Sequence, residues 1–173
     1  MENFSNSVLL PENLPEVLQD DFNPLNSSYL KIIYIRITIF TMLLAGGITA
    51  FLLFSEEEIP TLVLVAIIAV PAVLILYSLV ISKLGFPKKG YLLREKDISY
   101  KTGLIFYKQI SVTFNRIQHV EVSQGILAKM FGLSSVKIFT AGGSASDLSI
   151  PGLLTADAQK LKDFISEKIS RYE

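Results

Sequence analysis

Two stretches of the chain carry no charged side chain, and they limit the possible folds more than any other feature. They cover residues 37–54 and 59–82, which are 18 and 24 residues long. Helices of these lengths extend roughly 27 and 36 Å, at about 1.5 Å per residue, and the hydrocarbon core of a bilayer is about 30 Å thick. We therefore predict a transmembrane helical hairpin over residues 29–84, with spans at about 30–54 and 59–82.

The hairpin geometry follows from the short connection between the two stretches. Only residues 55–58 separate them, so the two helices must run antiparallel. Small residues at a spacing of three or four allow helices to approach closely in a membrane. This spacing predicts helix–helix packing at Gly46 and Ala50 of the first span and at Ala66 and Ala69 of the second. A buried hairpin in a soluble protein is the alternative, but the rest of the chain is too small to cover two wholly apolar helices.

The charges that flank the two spans predict the orientation of the hairpin. The connection carries three glutamates, and basic residues stand at the opposite ends of the spans: Lys31, Arg36, Lys83, Lys88, Lys89 and Arg94. Basic flanks stay on the cytoplasmic side, so we expect both termini and the carboxyl-terminal half of the chain in the cytoplasm. Residues 1–28 are acidic and contain three prolines, and we expect a mobile tail there.

The net charge of zero hides a strong asymmetry between the two halves of the chain. Residues 1–82 carry two basic and eight acidic side chains, a balance of −6, and residues 83–173 carry fourteen and eight, a balance of +6. A basic domain beside a bilayer is attracted to anionic lipids. The candidates for anionic-lipid contact are Lys88, Lys89, Arg94, Lys96, Lys101 and Lys108. The alternative is that these lysines merely solvate exposed strands.

Residues 86–173 have the pattern of a small, mostly β domain. Short alternating runs are separated by turn residues, which is typical of a barrel or sandwich. The pattern alone gives five or six strands. An apolar stripe at helical spacing then begins near Thr155, so we predict a C-terminal helix that closes one side of the sheet.

Several segments taken together resemble a known family. They are Arg116-Ile117-Gln118-His119-Val120, Phe131-Gly132-Leu133, Thr140-Ala141-Gly142-Gly143 and Leu148-Ser149-Ile150-Pro151-Gly152-Leu153. The set resembles the bacterial pleckstrin-homology-like (PH-like) domain family of the YdbS/YdbT type, in which two transmembrane helices precede the domain. The resemblance implies a bent β-barrel of about seven strands capped by a C-terminal α-helix. It also implies a non-catalytic membrane module.

The residues themselves do not point to catalysis or to a bound metal. The chain has no cysteine and one histidine, His119, which is a poor basis for a zinc site. The segment Gly142-Gly143-Ser144 lacks the Lys of a phosphate-binding loop and favours a hairpin tip. The three glutamates at 56–58 favour a solvated turn over a divalent-cation site. We expect no enzyme activity, no cofactor, no metal and no nucleic-acid partner.

The leading functional hypothesis is a membrane-anchored scaffold or accessory subunit for a protein partner, such as a larger membrane protein with related domains. Homo-oligomers are compatible with it. One alternative is an anionic-lipid-responsive protein in envelope stress or antimicrobial resistance, and another is an auxiliary component of a transport complex.

Overall fold

Two long apolar helices lead into a β domain in the computed structural model, which describes residues 22–54, 60–143 and 146–170. Helix α1 covers Ser28–Phe54 and helix α2 covers Thr61–Gly85. The most apolar windows of the two candidate spans have mean hydropathies of 2.2 and 2.9, and neither window is buried inside the protein. Both helices are therefore free to face lipid. The acidic turn at 56–58 lies outside the described residues.

The β domain contains seven strands among the described residues, arranged in two antiparallel sheets. The strands are β1 Asn23–Pro24, β2 Gly90–Leu93, β3 Asp97–Thr102, β4 Lys108–Thr113, β5 Ile117–Ser123, β6 Leu133–Thr140 and β7 Leu148–Leu154. The order is β1-β2-β3-β4 in one sheet, called sheet A here, and β5-β6-β7 in the other, called sheet B. Two further helices are α3, Ile126–Met130, and α4, Thr155–Ser170. These elements confirm the predicted hairpin followed by a PH-like β domain with a C-terminal helix.

The domain core lies between the two sheets and under α4. Sheet A contributes Ile98 and Val112, sheet B contributes Val136, Ile138 and Ile150, and α4 contributes Ala158, Leu161 and Ile165. The Phe114 ring meets the Phe164 ring edge to face, with centroids 6.2 Å apart. The apolar stripe predicted for the C-terminal helix is therefore the face that covers the sheets.

One strand of sheet A comes from the segment that precedes the hairpin. Asn23 and Pro24 pair with Tyr91 and Gly90 of β2, and Leu25 is buried in the domain core. Of the acidic tail expected over residues 1–28, residues 1–21 lie outside the described residues. Residues 22–27 are held against the domain by this pairing.

The register of sheet A separates the end near the membrane from the end far from it. Helix α2 ends at Gly85, and a short 3-10 turn over Phe86–Lys88 leads into β2. Gly90 pairs with Lys101, and Thr102 pairs with Lys108. The start of β2 and the β3–β4 connection therefore share the membrane-proximal end of sheet A. The turn between β2 and β3 lies at the distal end, about 13 Å away along a four-residue strand.

The first turns of α1 belong to the core of the β domain. Ile32 is completely buried, and Tyr29 packs against the core cluster. The Asn26 N–H donates a hydrogen bond of 3.0 Å to the Gly152 carbonyl of β7. Helix α1 therefore runs without a break from the domain core into the predicted span, which fixes the domain relative to the membrane.

Gly152 makes this docking possible because it lets Tyr29 approach the backbone of β7. Its φ is +69°, and a Cβ added there would lie 2.6 Å from the Tyr29 ring. Non-bonded carbon atoms pack best at about 3.5–4.0 Å, so a contact of 2.6 Å is a severe overlap. A side chain at this position would therefore displace the first turn of α1, which contains Tyr29, from the domain.

We predict that Gly152→Ala destabilises the full-length protein more than Gly132→Ala. Gly132 is a matched control, because its φ is +65° and a Cβ there meets no described atom within 4 Å. Both substitutions place alanine in a left-handed conformation at a cost of about 1–2 kcal/mol. Only Gly152→Ala adds the clash with Tyr29, worth about 1–3 kcal/mol. Thermal unfolding in detergent micelles measures the difference.

A double substitution tests the assigned cause. The added Cβ at position 152 would lie 2.6 Å from the Tyr29 ring and 2.7 Å from the Tyr29 Cβ, so only Tyr29→Gly removes both contacts. In the Tyr29→Gly background, Gly152→Ala should cost no more than Gly132→Ala does. An equal effect of Gly152→Ala in both backgrounds would show that Tyr29 does not limit the space there.

Candidate functional site

The small residues predicted to pack the hairpin are exposed on the helices. A Cβ at Gly46 or Gly47 would meet no described atom within 4 Å. Ala50, Ala66 and Ala69 are also exposed, although Ala66 borders a shallow apolar cleft shared with Ile48. The space between the helices is lined mainly by larger residues, among them Thr41, Ile48 and Leu52 of α1 and Ile67, Pro71 and Ile75 of α2. Gly46 is thus left accessible to a neighbour in the membrane.

The six basic residues predicted to contact lipid fall into two groups. Lys88, Lys89, Lys101 and Lys108 stand at the membrane-proximal end of sheet A, and Arg94 and Lys96 stand at the distal turn. The distal pair is separated from the end of α2 by the length of β2. The register therefore makes the proximal lysines the stronger candidates.

Arg94 is engaged in a local ion pair at the distal turn. Its Nε and Nη2 atoms donate hydrogen bonds of 2.7 and 2.6 Å to the two carboxylate oxygens of Asp97. These bonds raise the pKa of Arg94, because they favour its charged form. The pair is solvent-exposed, so it organises the turn but contributes little to stability.

Lys101 points into the protein instead of toward solvent. It is buried, and its Nζ lies 4.2 Å from the centroid of the Phe22 ring. A cation at this distance from an aromatic face is stabilised by the ring quadrupole. Lys101 thus helps to hold the segment before α1 on sheet A, which is a structural role.

A polar cavity of about 490 Å³ lies between the first turns of α1 and the β domain. It is lined by two basic residues, several hydroxyl-bearing residues and a few apolar ones: Tyr29, Ile32, Arg36, Lys89, Tyr100, Ser123, Gly125, Ala128, Leu133, Ser134, Ser135, Ser149, Pro151 and Gly152. No Asp or Glu is among them. We call this space the juxtamembrane cavity.

The two cations of the juxtamembrane cavity have no carboxylate to neutralise them among the described residues. Arg94–Asp97 is the one ion pair in which both residues are described, so no described carboxylate oxygen lies within 4 Å of the Arg36 or Lys89 charge. Lys89 is half-buried, and burial lowers its pKa because it penalises the charged form. An anion in the cavity would remove that penalty. The electrostatics therefore favour a negatively charged occupant.

The hydroxyl groups of Ser123 and Ser149 can form hydrogen bonds with uncharged groups in the cavity, whereas the buried Ser134 hydroxyl is already hydrogen-bonded to Thr155. Burial raises the pKa of Tyr100, and this effect outweighs the hydrogen bond with Thr102, which lowers it. The phenol therefore stays protonated at neutral pH. Serine hydroxyls both donate and accept. The cavity can thus hold an anionic group together with neutral polar groups attached to it.

A separate apolar groove lies along the two helices and shares Arg36 with this cavity. It has a volume of about 300 Å³ and is lined by Arg36, Ile37, Phe40 and Leu44 of α1 and by Pro71, Leu74, Ile75 and Ser78 of α2. Arg36 lines both the groove and the juxtamembrane cavity. A polar compartment and an apolar one therefore meet at a single cation.

The sequence anticipated part of this site but not its assembly. The sequence predicts Lys89 as a lipid contact, but it indicates Arg36 only as a basic flank of the first span. Ser123, Ser134 and Ser149 lie on three different strands, and no local motif links them. Their meeting depends on the pairing within sheet B, which a single sequence does not show.

His119 lies away from the cavity, on the surface of sheet B. Its ring stacks on Phe139 across the β5–β6 pair, with centroids 4.2 Å apart and planes 13° apart. Within the described ranges, no three His, Asp or Glu side chains come together in a metal-binding group. The geometry gives His119 a packing contact with Phe139.

Comparison with known proteins places the chain in a family. The UPF0699 transmembrane protein YdbS of Bacillus subtilis (strain 168) is 40% identical over 76 residues, which cover 44% of this chain and 46% of YdbS. The chain thus matches less than half of that relative's length. No solved structure matches the chain. The family model described as Bacterial PH domain matches residues 34–169, so the match extends from the first span to the last turns of α4, and the chain belongs to the bacterial PH domain family.

Proposed function

We propose that this protein is a non-catalytic, membrane-anchored module that binds an anionic phospholipid of the leaflet on which its β domain sits. One observation supports this proposal above the others. Arg36 lines both the polar juxtamembrane cavity and the apolar groove between the helices. A phospholipid has the same order of parts: a polar headgroup, a phosphate at the boundary and acyl chains.

The chemistry of the cavity favours a headgroup with a net negative charge. The Arg36 guanidinium can donate parallel hydrogen bonds to phosphate oxygens, and Lys89 adds a second cation. The surrounding hydroxyls suit a polyol such as the glycerol of phosphatidylglycerol. The quaternary ammonium of phosphatidylcholine would bring a further positive charge near these two cations, so this headgroup should bind less well.

The same proposal assigns the orientation of the chain. The acidic turn and the basic flanks favour a hairpin with both termini and the β domain in the cytoplasm of a bacterial cell. The bound lipid would then come from the inner leaflet. The fraction of protein with a bound lipid would then depend on the amount of anionic lipid in that leaflet. Such a dependence is compatible with a role in the response of the cell envelope to stress.

We predict that Arg36→Gln and Lys89→Met each weaken binding of phosphatidylglycerol about 10- to 100-fold. Each removes a hydrogen bond from a charged donor, worth about 1.5–3 kcal/mol. The measurement is a titration of the full-length protein, in a neutral detergent, with short-chain phosphatidylglycerol. Lys96→Met is the matched control, because this lysine lies at the distal turn and should leave the affinity unchanged.

Two further ligands separate a lipid site from a simple anion site. Glycerol phosphate lacks the acyl chains that would occupy the groove, and phosphatidylcholine lacks the net charge, so both should bind more weakly than phosphatidylglycerol. Equal losses of affinity in Lys89→Met and Lys96→Met would contradict the proposal, because they would indicate diffuse attraction to a basic surface.

The lowered pKa of Lys89 predicts the pH dependence of lipid binding. Lys89 binds the phosphate only when charged, and its pKa in the folded protein lies below the ordinary 10.5. Affinity should therefore fall as the pH rises through that lowered value, before free lysine would lose its proton. Lys89→Arg should keep its affinity in this range, because arginine remains charged. Titrations of the two proteins at a series of alkaline pH values test this, and identical pH profiles would exclude Lys89 as the titrating group.

The accessory-subunit hypothesis is the second candidate, and the open surface at Gly46 favours it. Because a Cβ there meets no described atom within 4 Å, a helix of another membrane protein can approach this face closely. The partner in this case is a membrane protein that contacts α1 within the bilayer.

We predict that a photo-crosslinker attached at Gly46→Cys labels such a partner in native membranes. The chain has no cysteine of its own, so the attachment is specific. Ile48→Cys is the control, because Ile48 faces the space between α1 and α2 and should give crosslinks within the chain. A product of twice the chain's mass would indicate a homo-oligomer, and labelling of lipid alone would contradict a helix partner at this face.

A further inference from the structure

The loop between β3 and β4 presents three large apolar side chains to the surroundings of the protein. Ile105 is 59% exposed, Phe106 is 87% exposed and Tyr107 is 66% exposed. We call residues 104–107 the apolar tip. We propose that the apolar tip inserts into the interfacial layer of the leaflet adjoining the end of α2, as a membrane contact separate from the two helices.

The apolar tip lies where α2 leaves the predicted span. Leu104 is a neighbour of Gly85, since a Cβ added at Gly85 would be 3.4 Å from the Leu104 Cβ. Gly85 is the last residue of α2 and is buried. The register agrees, because Thr102 and Lys108 pair at the membrane-proximal end of sheet A. The tip is therefore at the level of the membrane surface.

The backbone of the tip is shaped so that its side chains point away from the domain. Gly103 has φ +110°, and a Cβ there would lie 1.8 Å from the Phe106 carbonyl oxygen. The chain can fold back this tightly only because position 103 has no side chain. The resulting loop is compact, and its large side chains remain on the outside.

The composition of the tip and its flanks suits the boundary between headgroups and acyl chains. Ile105 and Phe106 are apolar, and Tyr107 combines an apolar ring with a hydroxyl, which favours the interface. Lys88 and Lys108 are exposed at the same end of sheet A, so their charges can reach lipid phosphates while the rings go deeper. Exposed apolar clusters of this kind mark a contact site, and the position beside α2 identifies the bilayer as the partner.

This contact does not depend on the juxtamembrane cavity. The cavity is lined by Lys89 and Tyr100 on the side of sheet A and by serines of sheet B, and none of residues 104–107 is among its lining residues. Loss of headgroup binding in Lys89→Met would therefore leave insertion of the tip unchanged.

The natural absence of tryptophan makes the insertion directly measurable. Phe106→Trp introduces the sole tryptophan of the chain at the most exposed position of the tip. Lys96→Trp is the matched control, because Lys96 is also exposed but stands at the distal turn of the same sheet. Both full-length variants are reconstituted into vesicles of phosphatidylglycerol and phosphatidylcholine whose acyl chains carry bromine near the carbonyl end. Bromine quenches only a tryptophan that reaches the chains.

We expect the F106W protein to show blue-shifted emission and to lose most of it to the brominated lipid, while the K96W protein retains water-like, unquenched emission. An unquenched, water-like F106W signal would overturn the proposal. A blue-shifted but unquenched signal would overturn it too, because the tip would then contact protein instead of lipid. Equal quenching of both probes would also overturn the proposal, because the whole domain would then contact the lipid and the tip would not be a specific contact. Unchanged unfolding midpoints confirm that both variants are folded.

Discussion

The docking of α1 into the β domain is the contact on which the rest of the structure depends. A helix that served only as an anchor would leave the domain free to turn on its linker. Here Leu25, just before α1, lies in the domain core, and in the first turns of α1 Tyr29 packs against that core and Ile32 is completely buried. The close approach of Tyr29 to Gly152 secures this contact. The domain is therefore held in one orientation relative to the two helices. The distance of each of its side chains from the membrane end of the helices is fixed as well.

This orientation places the basic residues of the domain at different distances from the ends of the two helices. In sheet A, antiparallel pairing returns the chain to the membrane-proximal end at Lys101 and Lys108. The turn between β2 and β3, which carries Arg94 and Lys96, lies at the opposite end of the sheet. A net charge of +6 spread over residues 83–173 would attract any anionic surface. The fold brings Arg36 and the half-buried Lys89 together with several hydroxyl groups around one cavity.

The two proposed lipid contacts use different physical effects. The juxtamembrane cavity relies on charge and hydrogen bonds in a partly desolvated space, where electrostatic interactions are stronger than in water. The apolar tip relies on the transfer of exposed apolar surface out of water. Together with the hairpin they would contact the leaflet at three places, so the domain would respond both to lipid charge and to lipid packing.

The sequence alone determined the hairpin, because 18 and 24 residues without charge have few stable arrangements other than a membrane span. It also determined the β character of residues 86–173 and the apolar face of α4, since these depend on local periodicity. Only the tertiary structure decided that β1 comes from before the hairpin, that Ile32 belongs to the domain core, and that Arg36 shares a cavity with serines of three strands. These contacts join residues far apart in the chain. Their free energy depends on strand register and on shape at single positions such as Gly152, which no local pattern of residues encodes.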